Sequence, residues 1–189
     1  RKVFFPETTD ELINVRDYLN SKNEKAIVVG AGSNLLVSSQ GVSDAVIFTK
    51  NINFFEDLGE GMLKVGSGMK SVQLAKLAQE RNLTGLEFLI GIPGSVGGAV
   101  TMNSSAHGQM IKDVIVSVDV MDLTTGSITT LDKEDLELDY RSSFVQNNKH
   151  VIISATFKLE NGDRNKIDEL MTFHVDYRKQ NHPPLTEPS

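Results

Sequence analysis

The sequence predicts an α+β protein of two lobes divided near residue 51. Three observations carry that prediction. Short continuous apolar runs at 26–29 and 45–48 accompany an amphipathic opening helix. The pattern changes around Asn51, and strands and helices then resume. An alternating stretch at 114–123 is followed by a turn and a return strand.

Taken in order, Thr8 with Glu11 three residues later is a capping-box pattern. Leu12, Val15 and Leu19 follow at helical spacing, which predicts a helix over 9–22 with one buried face. Ala26-Ile27-Val28-Val29, ending in Gly30, reads as a buried strand, and Ala45-Val46-Ile47-Phe48 as another. Met62-Leu63-Lys64-Val65 is a third. Ser71 is expected to cap a helix whose apolar face uses Val72, Ala75, Leu77 and Ala78. Val114, Val116, Val118 and Val120 alternate as in a strand with one covered face. Thr124-Thr125-Gly126-Ser127 is a turn, and 127–131 returns as the partner strand. A strand at 151–159 and a helix at 163–180, with Ile167, Leu170, Met171 and Val175 on one stripe, complete the series. There is no internal repeat or low-complexity tract. Residues 1–51 and 52–180 are read as the two lobes. Residues 181–189, with Pro183, Pro184 and Pro188, are read as an extended linker.

The composition, 39% hydrophobic and 23% charged, is that of a chain able to bury a core. Nineteen basic against twenty-five acidic residues leave a net charge of -6. The average field therefore repels nucleic acid and anionic lipid, and neither is an expected partner. Cysteine is absent, which removes disulfides, thiolate catalysis and cysteine metal sites and fits a reducing compartment. The start, Arg1-Lys2-Val3-Phe4-Phe5-Pro6, carries no apolar run of signal-peptide length. The segment 88–111 has no Asp, Glu, Lys or Arg, but Pro93 and its several glycines break the apolar run that a membrane span needs. It reads as an uncharged glycine-rich loop.

Three segments are candidates for chemistry. Gly30-Ala31-Gly32-Ser33-Asn34-Leu35 begins like a dinucleotide fingerprint, yet its sixth position is Leu35 and no amphipathic helix follows, so a Rossmann reading fails. Either it is a tight turn between strands, or its glycines and Ser33 let the backbone approach a ligand and aim N–H groups at an anion. Gly91-Ile92-Pro93-Gly94-Ser95-Val96-Gly97-Gly98 holds four glycines in eight residues. That is costly unless the backbone needs positive φ or close contact. It is either a tightly packed loop or a second diphosphate cradle. Neither segment contains lysine or arginine, so phosphate there would be held by peptide N–H groups with Ser33, Asn34 and Ser95. Arg141, in Tyr140-Arg141-Ser142-Ser143-Phe144, is on its own more typical of a surface or ion-paired arginine. Among His107, His150, His174 and His182 no pair has the spacing of a helical zinc site, and no metal is expected. His107 is read as near a cofactor and the other three as solvent-facing. Asp132, Glu134, Asp135, Glu137 and Asp139 read as a solvated acidic face.

In this order the segments resemble the UDP-N-acetylenolpyruvoylglucosamine reductases. The match runs through 29–37 and 85–99, then Met102-Asn103, Ala106-His107-Gly108 and 140–144, and covers nearly the whole chain. The resemblance implies an FAD-binding domain of the PCMH type, with two lobes holding FAD between them and a third lobe, absent here, that helps bind substrate. It implies NADPH as reductant and UDP-N-acetylglucosamine enolpyruvate as substrate, reduced to UDP-N-acetylmuramate for peptidoglycan synthesis by a cytoplasmic, monomeric enzyme. By the same resemblance Gly30, Ala31, Gly32, Ser33, Asn34 and Leu35, with Ile92, Pro93, Gly94, Ser95, Gly97 and Gly98, cradle the FAD diphosphate. Asn103, Gly108 and Ile153 lie near the cofactor, and Arg141 matches the family's active-site arginine. The chain departs from the family at Ser104, Ser105 and His107, where alanine, glycine and tyrosine are usual. Family members continue past a proline–serine like Pro188-Ser189 into a turn bearing the proton-donating serine, and a catalytic glutamate lies further on. The 189-residue chain is therefore not expected to complete turnover alone. The other readings are an oxidase of the same FAD fold and a non-catalytic flavin-binding module.

Overall fold

The computed structural model describes residues 2–147 and 149–182. The expected linker prolines and Ser189 lie outside the described residues. Strand β1 (Val3–Phe4) leads into helix α1 (Thr9–Ser21). The Thr8 hydroxyl accepts the Glu11 N–H at 3.2 Å, as a capping box requires. The returning bond is displaced by one residue, because the Glu11 carboxylate takes the Glu7 N–H, at 2.8 Å, instead of that of Thr8. Leu12 and Leu19 are the buried residues of α1. Strands β2 (Ala26–Val29) and β3 (Ala45–Phe48) pair in parallel, and β1 pairs in parallel on the other side of β3. A parallel pair needs a crossover of a dozen or more residues, usually a helix. Here residues 30–44 make the crossover with no helix or strand, and the first glycine-rich segment lies in it.

A 3₁₀ turn at Thr49–Asn51 leads into β4 (Phe55–Gly59) and β5 (Met62–Gly66). They form a hairpin whose two-residue loop, Glu60-Gly61, has both residues at positive φ, as its twist requires. Helix α2 (Ser71–Glu80), β6 (Leu83–Thr84) and a 3₁₀ turn at Glu87–Gly91 come next. They are followed by α3 (Val96–Thr101), β7 (Ser105–Ala106), β8 (Gln109–Met110) and α4 (Ile111–Val114). The chain then runs through β9 (Ile115–Asp122), β10 (Ile128–Asp132), β11 (His150–Lys158), β12 (Glu160–Asn161) and α5 (Arg164–Asn181). The large sheet has the order β10-β9-β11-β5-β4 and is antiparallel throughout.

Strand β11 is the shared wall of two cores. Ile152, Ala155 and Phe157 join the larger core with Leu63, Leu74, Phe88 and Val100. Val151 and Ile153 join the smaller one with Leu12, Leu19 and Ile47. Successive strand residues face opposite sides, and a register shift between Ile152 and Ser154 moves the later Ala155 and Phe157 to the face that Ile152 uses, so one strand serves both. Helix α1 is further pinned to the turn after β9, where Arg16 and Asn20 donate to the carbonyls of Leu123 and Thr124.

Several expectations change. Ser71 is the first residue of α2, not its cap; Lys70 is the capping residue and offers no side-chain bond. The buried face of α2 is Ser71, Leu74, Ala75 and Ala78, while Val72 and Leu77 are half-buried. Val114 ends α4 and is not in the strand. The charge-free segment 88–111 is not only loop, since α3 lies within it. Strand β4 is a mostly exposed edge whose sequence, Phe-Glu-Asp-Leu-Gly, has no alternating pattern. In α5, Ile167, Met171 and His174 are buried, whereas Leu170 is exposed.

Phe157 is fully buried in the larger core. Phe157→Ala is expected to cost about 3–5 kcal/mol, read as a lowered midpoint of urea denaturation. A loss below about 1 kcal/mol would place the centre of the core elsewhere.

Candidate functional site

A cavity of about 580 Å³ opens between the two glycine-rich segments, within the size range of small-molecule sites. Its first wall is the bend after β2, Gly30 to Leu35; its second runs from Gly91 through the first residues of α3. The two bends touch. The Ser33 hydroxyl donates to the Pro93 carbonyl at 3.0 Å. A Cβ added at Gly30 would lie 2.3 Å from the Ser95 Oγ. That oxygen accepts the Gly98 N–H at 3.4 Å and caps α3, so a side chain at position 30 would displace the cap.

The bends differ in what they leave free. None of the N–H groups from Ala31 to Leu35 is taken by a backbone carbonyl among the described residues. In the second bend most amides fasten it down: Val96 donates to the Met69 carbonyl and Gly97 to that of Ser67, both at 2.8 Å. The Ser71 N–H holds the Gly94 carbonyl at 3.0 Å. The Arg178 guanidinium holds that of Gly91 at 3.1 Å.

Arg141 lines the same cavity. Its backbone is left-handed, φ +54, in a two-residue turn closed by reciprocal bonds of 3.2 Å between Asp139 and Ser142. Two side chains bolt this turn in place. Ser143 donates to the Thr101 carbonyl at the end of α3, 2.7 Å. Asn103 donates to the Asp139 carbonyl at 3.1 Å while accepting the Lys112 N–H at 3.0 Å. Arg141 is exposed, as the surface reading of its isolated motif expects, and no carboxylate pairs with it among the described residues. No Asp or Glu lines the cavity among those residues, whereas Arg141, Arg178 and all four histidines do. A protein of net charge -6 thus carries an acid-free, arginine-bearing hollow suited to an anionic ligand.

The residues Gly30, Ala31, Gly32, Ser33, Asn34, Leu35, Ile92, Pro93, Gly94, Ser95, Gly97, Gly98 and Arg141 are brought together on this wall. Asn103, Gly108 and Ile153 are not on it. Asn103 is buried behind the Arg141 turn. Gly108, at φ +82, faces open space. The side chain of Ile153 packs in the smaller core, and its carbonyl accepts the Ser67 N–H at 2.9 Å. The acidic residues Asp132, Glu134, Asp135, Glu137 and Asp139 are exposed.

The histidines divide differently from expectation. His107 lines the cavity, its ring 4.4 Å from that of Tyr177 and 4.8 Å from that of His174. His182 is exposed. His150 is half-buried, with Nε2 3.8 Å from Asp122. His174 is only 3% exposed, because it follows Ile167 and Met171 on the buried stripe of α5. That spacing of four and three was the signal available in the sequence. Both ring nitrogens of His174 lack a hydrogen-bond partner, as do the buried hydroxyls of Ser67 and Ser71, and all three residues line the cavity. An unmet buried polar group costs about 1–3 kcal/mol, and such groups cluster where a ligand supplies the missing partner.

The comparisons with known proteins agree with this geometry. Residues 1–132 match the family model for an FAD binding domain. The chain is 36% identical to the UDP-N-acetylenolpyruvoylglucosamine reductase of Fusobacterium nucleatum, covering 100% of this chain and 65% of that protein. It is 36% identical to the protein of that name from Bacillus subtilis, covering 94% and 59%. The crystal structure of the UDP-N-acetylenolpyruvylglucosamine reductase from Thermus caldophilus superposes with a TM-score of 0.80 at 30% identity, over 96% of this chain and 64% of that one. The chain therefore spans just under two thirds of the length of these relatives.

Burial first, and the neighbouring His107 ring second, lower the His174 pKa from its ordinary 6.5, against an opposing pull from Glu87. The contribution of the neutral ring to stability is complete above pH 6.5 and is lost as pH falls through the lower folded value, since the unfolded chain takes up the proton first. Thermal midpoints should drop as pH falls below 6.5, and His174→Phe should flatten that part of the profile. An unchanged profile in the variant would remove His174 as the cause.

Proposed function

We propose, from the premise that this chain belongs to the FAD binding domain family, that it is the FAD-binding part of a UDP-N-acetylenolpyruvoylglucosamine reductase. The parent enzyme uses NADPH to reduce UDP-N-acetylglucosamine enolpyruvate to UDP-N-acetylmuramate. The observation that carries this reading is the pair of interlocked, lysine-free bends, the first with amides that no backbone carbonyl takes among the described residues, in a cavity without acids on its described wall that also holds Arg141. The similarity to reductases of that name supports it. We divide the chain into FAD-binding lobes at 1–51 and 52–180. The fold, an α+β FAD-binding domain of the PCMH type, is that of the family.

The residues present suit FAD. A diphosphate carries acceptor oxygens and no donors, and the N–H groups of Ala31 to Leu35 are donors without a backbone partner among the described residues. Held there, the diphosphate would need no lysine, since oriented peptide dipoles form an anion nest. The fastened second bend supplies close approach at Gly94, Gly97 and Gly98 and the hydroxyl of Ser95. When bound, FAD carries the hydride chemistry; the protein supplies binding, orientation and electrostatics.

Arg141 holds the carboxylate of the enolpyruvyl group. Hydride addition to the carbon–carbon double bond shifts negative charge toward that carboxylate, and a fixed guanidinium stabilises the charge where it develops. Its planar fork can meet both carboxylate oxygens at once. The left-handed turn, bolted by Asn103 and Ser143, fixes the backbone from which this side chain projects. Reduction of the double bond consumes one hydride and one proton overall. A nucleotide-sugar substrate and a sequence without cysteine suit a parent enzyme of the reducing cytoplasm.

The purified chain is expected to show a flavin band at about 450 nm, and its absence after FAD is added would sink the cofactor assignment. In the parent enzyme, flavin reduced by NADPH should be reoxidised faster by the enolpyruvyl sugar nucleotide than by oxygen. There, Arg141→Lys should lower kcat by about 10²–10³ while FAD content stays near that of the wild type. Equal turnover would take Arg141 out of the reaction.

A further inference from the structure

We infer that His174 is a ligand-binding residue, and that its imidazole, roofed by His107 and Tyr177, grips the neutral polar edge of a planar heteroaromatic ring. This rests on the FAD reading, because FAD carries two such rings, the flavin and the adenine. The glycine-rich bends account for a diphosphate and leave the ring systems without an assigned partner.

Geometry carries the inference. His174 is 3% exposed, lines the cavity, and finds no partner for Nδ1 or Nε2. A neutral imidazole offers one donor and one acceptor on diverging sides of its ring, so one nitrogen can meet an N–H, carbonyl or ring nitrogen at the edge of a heteroaromatic ring. A structural role would require a protein partner, and the nearby acid is occupied: Glu87 accepts from the Thr84 hydroxyl at 2.6 Å and the Gly85 N–H at 2.8 Å. The ring is flanked by an aromatic wall. His107 lies 4.8 Å from it, and Tyr177 meets His107 edge-on at 4.4 Å. Both open onto the cavity. Flat rings pack favourably against such a wall, stacked or edge to face.

Charge separates the ring from the phosphates. A phosphate beside His174 would favour imidazolium, but burial and the adjacent His107 ring favour the uncharged form. The other groups with charge or titratable protons on the cavity wall are His107, Arg141, His150, Tyr177, Arg178 and His182, and Glu87 acts on His174 from behind that wall. Arg178 already spends one donor on the Gly91 carbonyl. A neutral partner is what His174 can accept, leaving the anionic part of the ligand to the bend at Ala31–Leu35.

The test uses the full chain, with FAD affinity from fluorescence titration and the thermal midpoint of the ligand-free protein. His174→Phe keeps the ring and removes both nitrogens. It should weaken FAD binding by about tenfold or more while leaving the ligand-free midpoint unchanged or raised, because an unmet buried group has been removed. His174→Gln, with an amide donor and acceptor, should recover most of the affinity. Titrations with FMN and with ADP identify the ring: a defect confined to one of them upholds the inference and names the flavin or the adenine. Unaltered FAD affinity in His174→Phe overturns it, and so does a variant whose affinity and ligand-free midpoint fall together without recovery in His174→Gln. A wild-type chain that binds no FAD sinks the cofactor reading first, and that result is distinct from both.

Discussion

The contact between the two glycine-rich bends is the constraint on which the rest of the site depends. At Gly30 the backbone comes so close to Ser95 that no side chain fits between them, and Ser33 closes the approach by donating to Pro93. Ser95 faces two ways. It packs on the end of β2, and it caps a six-residue helix that contains two adjacent glycines. Such a helix has little intrinsic stability. Its persistence comes from tertiary anchors, the Ser67 and Met69 carbonyls at its start and the Ser143 hydroxyl at its end. Through the last of these, the position of Arg141 is tied to the same helix. A shift of the second bend would therefore move the cradle and the arginine together.

Charge is distributed with the same economy. The protein is acidic overall, yet its cavity has no carboxylate on the described wall. Attraction for an anion is built from peptide dipoles and two arginines, and those arginines do different work. Arg178 is committed to a backbone carbonyl and stiffens the second bend. Arg141 has no ion-pair partner among the described residues and retains its donors for a ligand. A neutral cradle also lowers the desolvation penalty of forming the site, because a buried lysine or arginine would lose hydration before any ligand arrived.

Much of this was legible in the residues, and the exceptions share a cause. Continuous apolar runs mark β2 and β3, and the Thr8–Glu11 pair marks the start of α1, because those signals are local. Glycine content marks both bends but not their contact, which joins residues about sixty positions apart. Composition reads 88–111 as loop since glycine disfavours helix; α3 forms there because distant backbone groups hold it. Strand β4 lacks a pattern because an exposed edge buries little. His174 escapes a reading by residue type, which places histidine at the surface, although its spacing from Ile167 and Met171 puts it on the apolar stripe. Arg141 stands out only by family resemblance, because its significance lies in what surrounds it in space.

Three non-glycine residues at or beside the cavity adopt left-handed backbone: Asn103 at φ +40, His107 at φ +53 and Arg141 at φ +54. Asparagine and histidine enter that region readily, whereas arginine does so with more strain. Such strain costs about 1–3 kcal/mol per residue and survives only where the surroundings over-determine it. The over-determination is visible here. Asn103, the residue that bears the conformation most easily, uses both ends of its amide, one on the Lys112 N–H and one on the Asp139 carbonyl. The second bond clamps the turn in which Arg141 is strained; His107 is held by the rings of Phe173, His174 and Tyr177. A position where glycine would sit at lower cost, yet where arginine or histidine is found, is one where the side chain matters more than the backbone. His107 and Arg141 both line the cavity, and the buried amide of Asn103 holds the Arg141 turn through the Asp139 carbonyl and the Lys112 N–H, neither of which is on the described cavity wall.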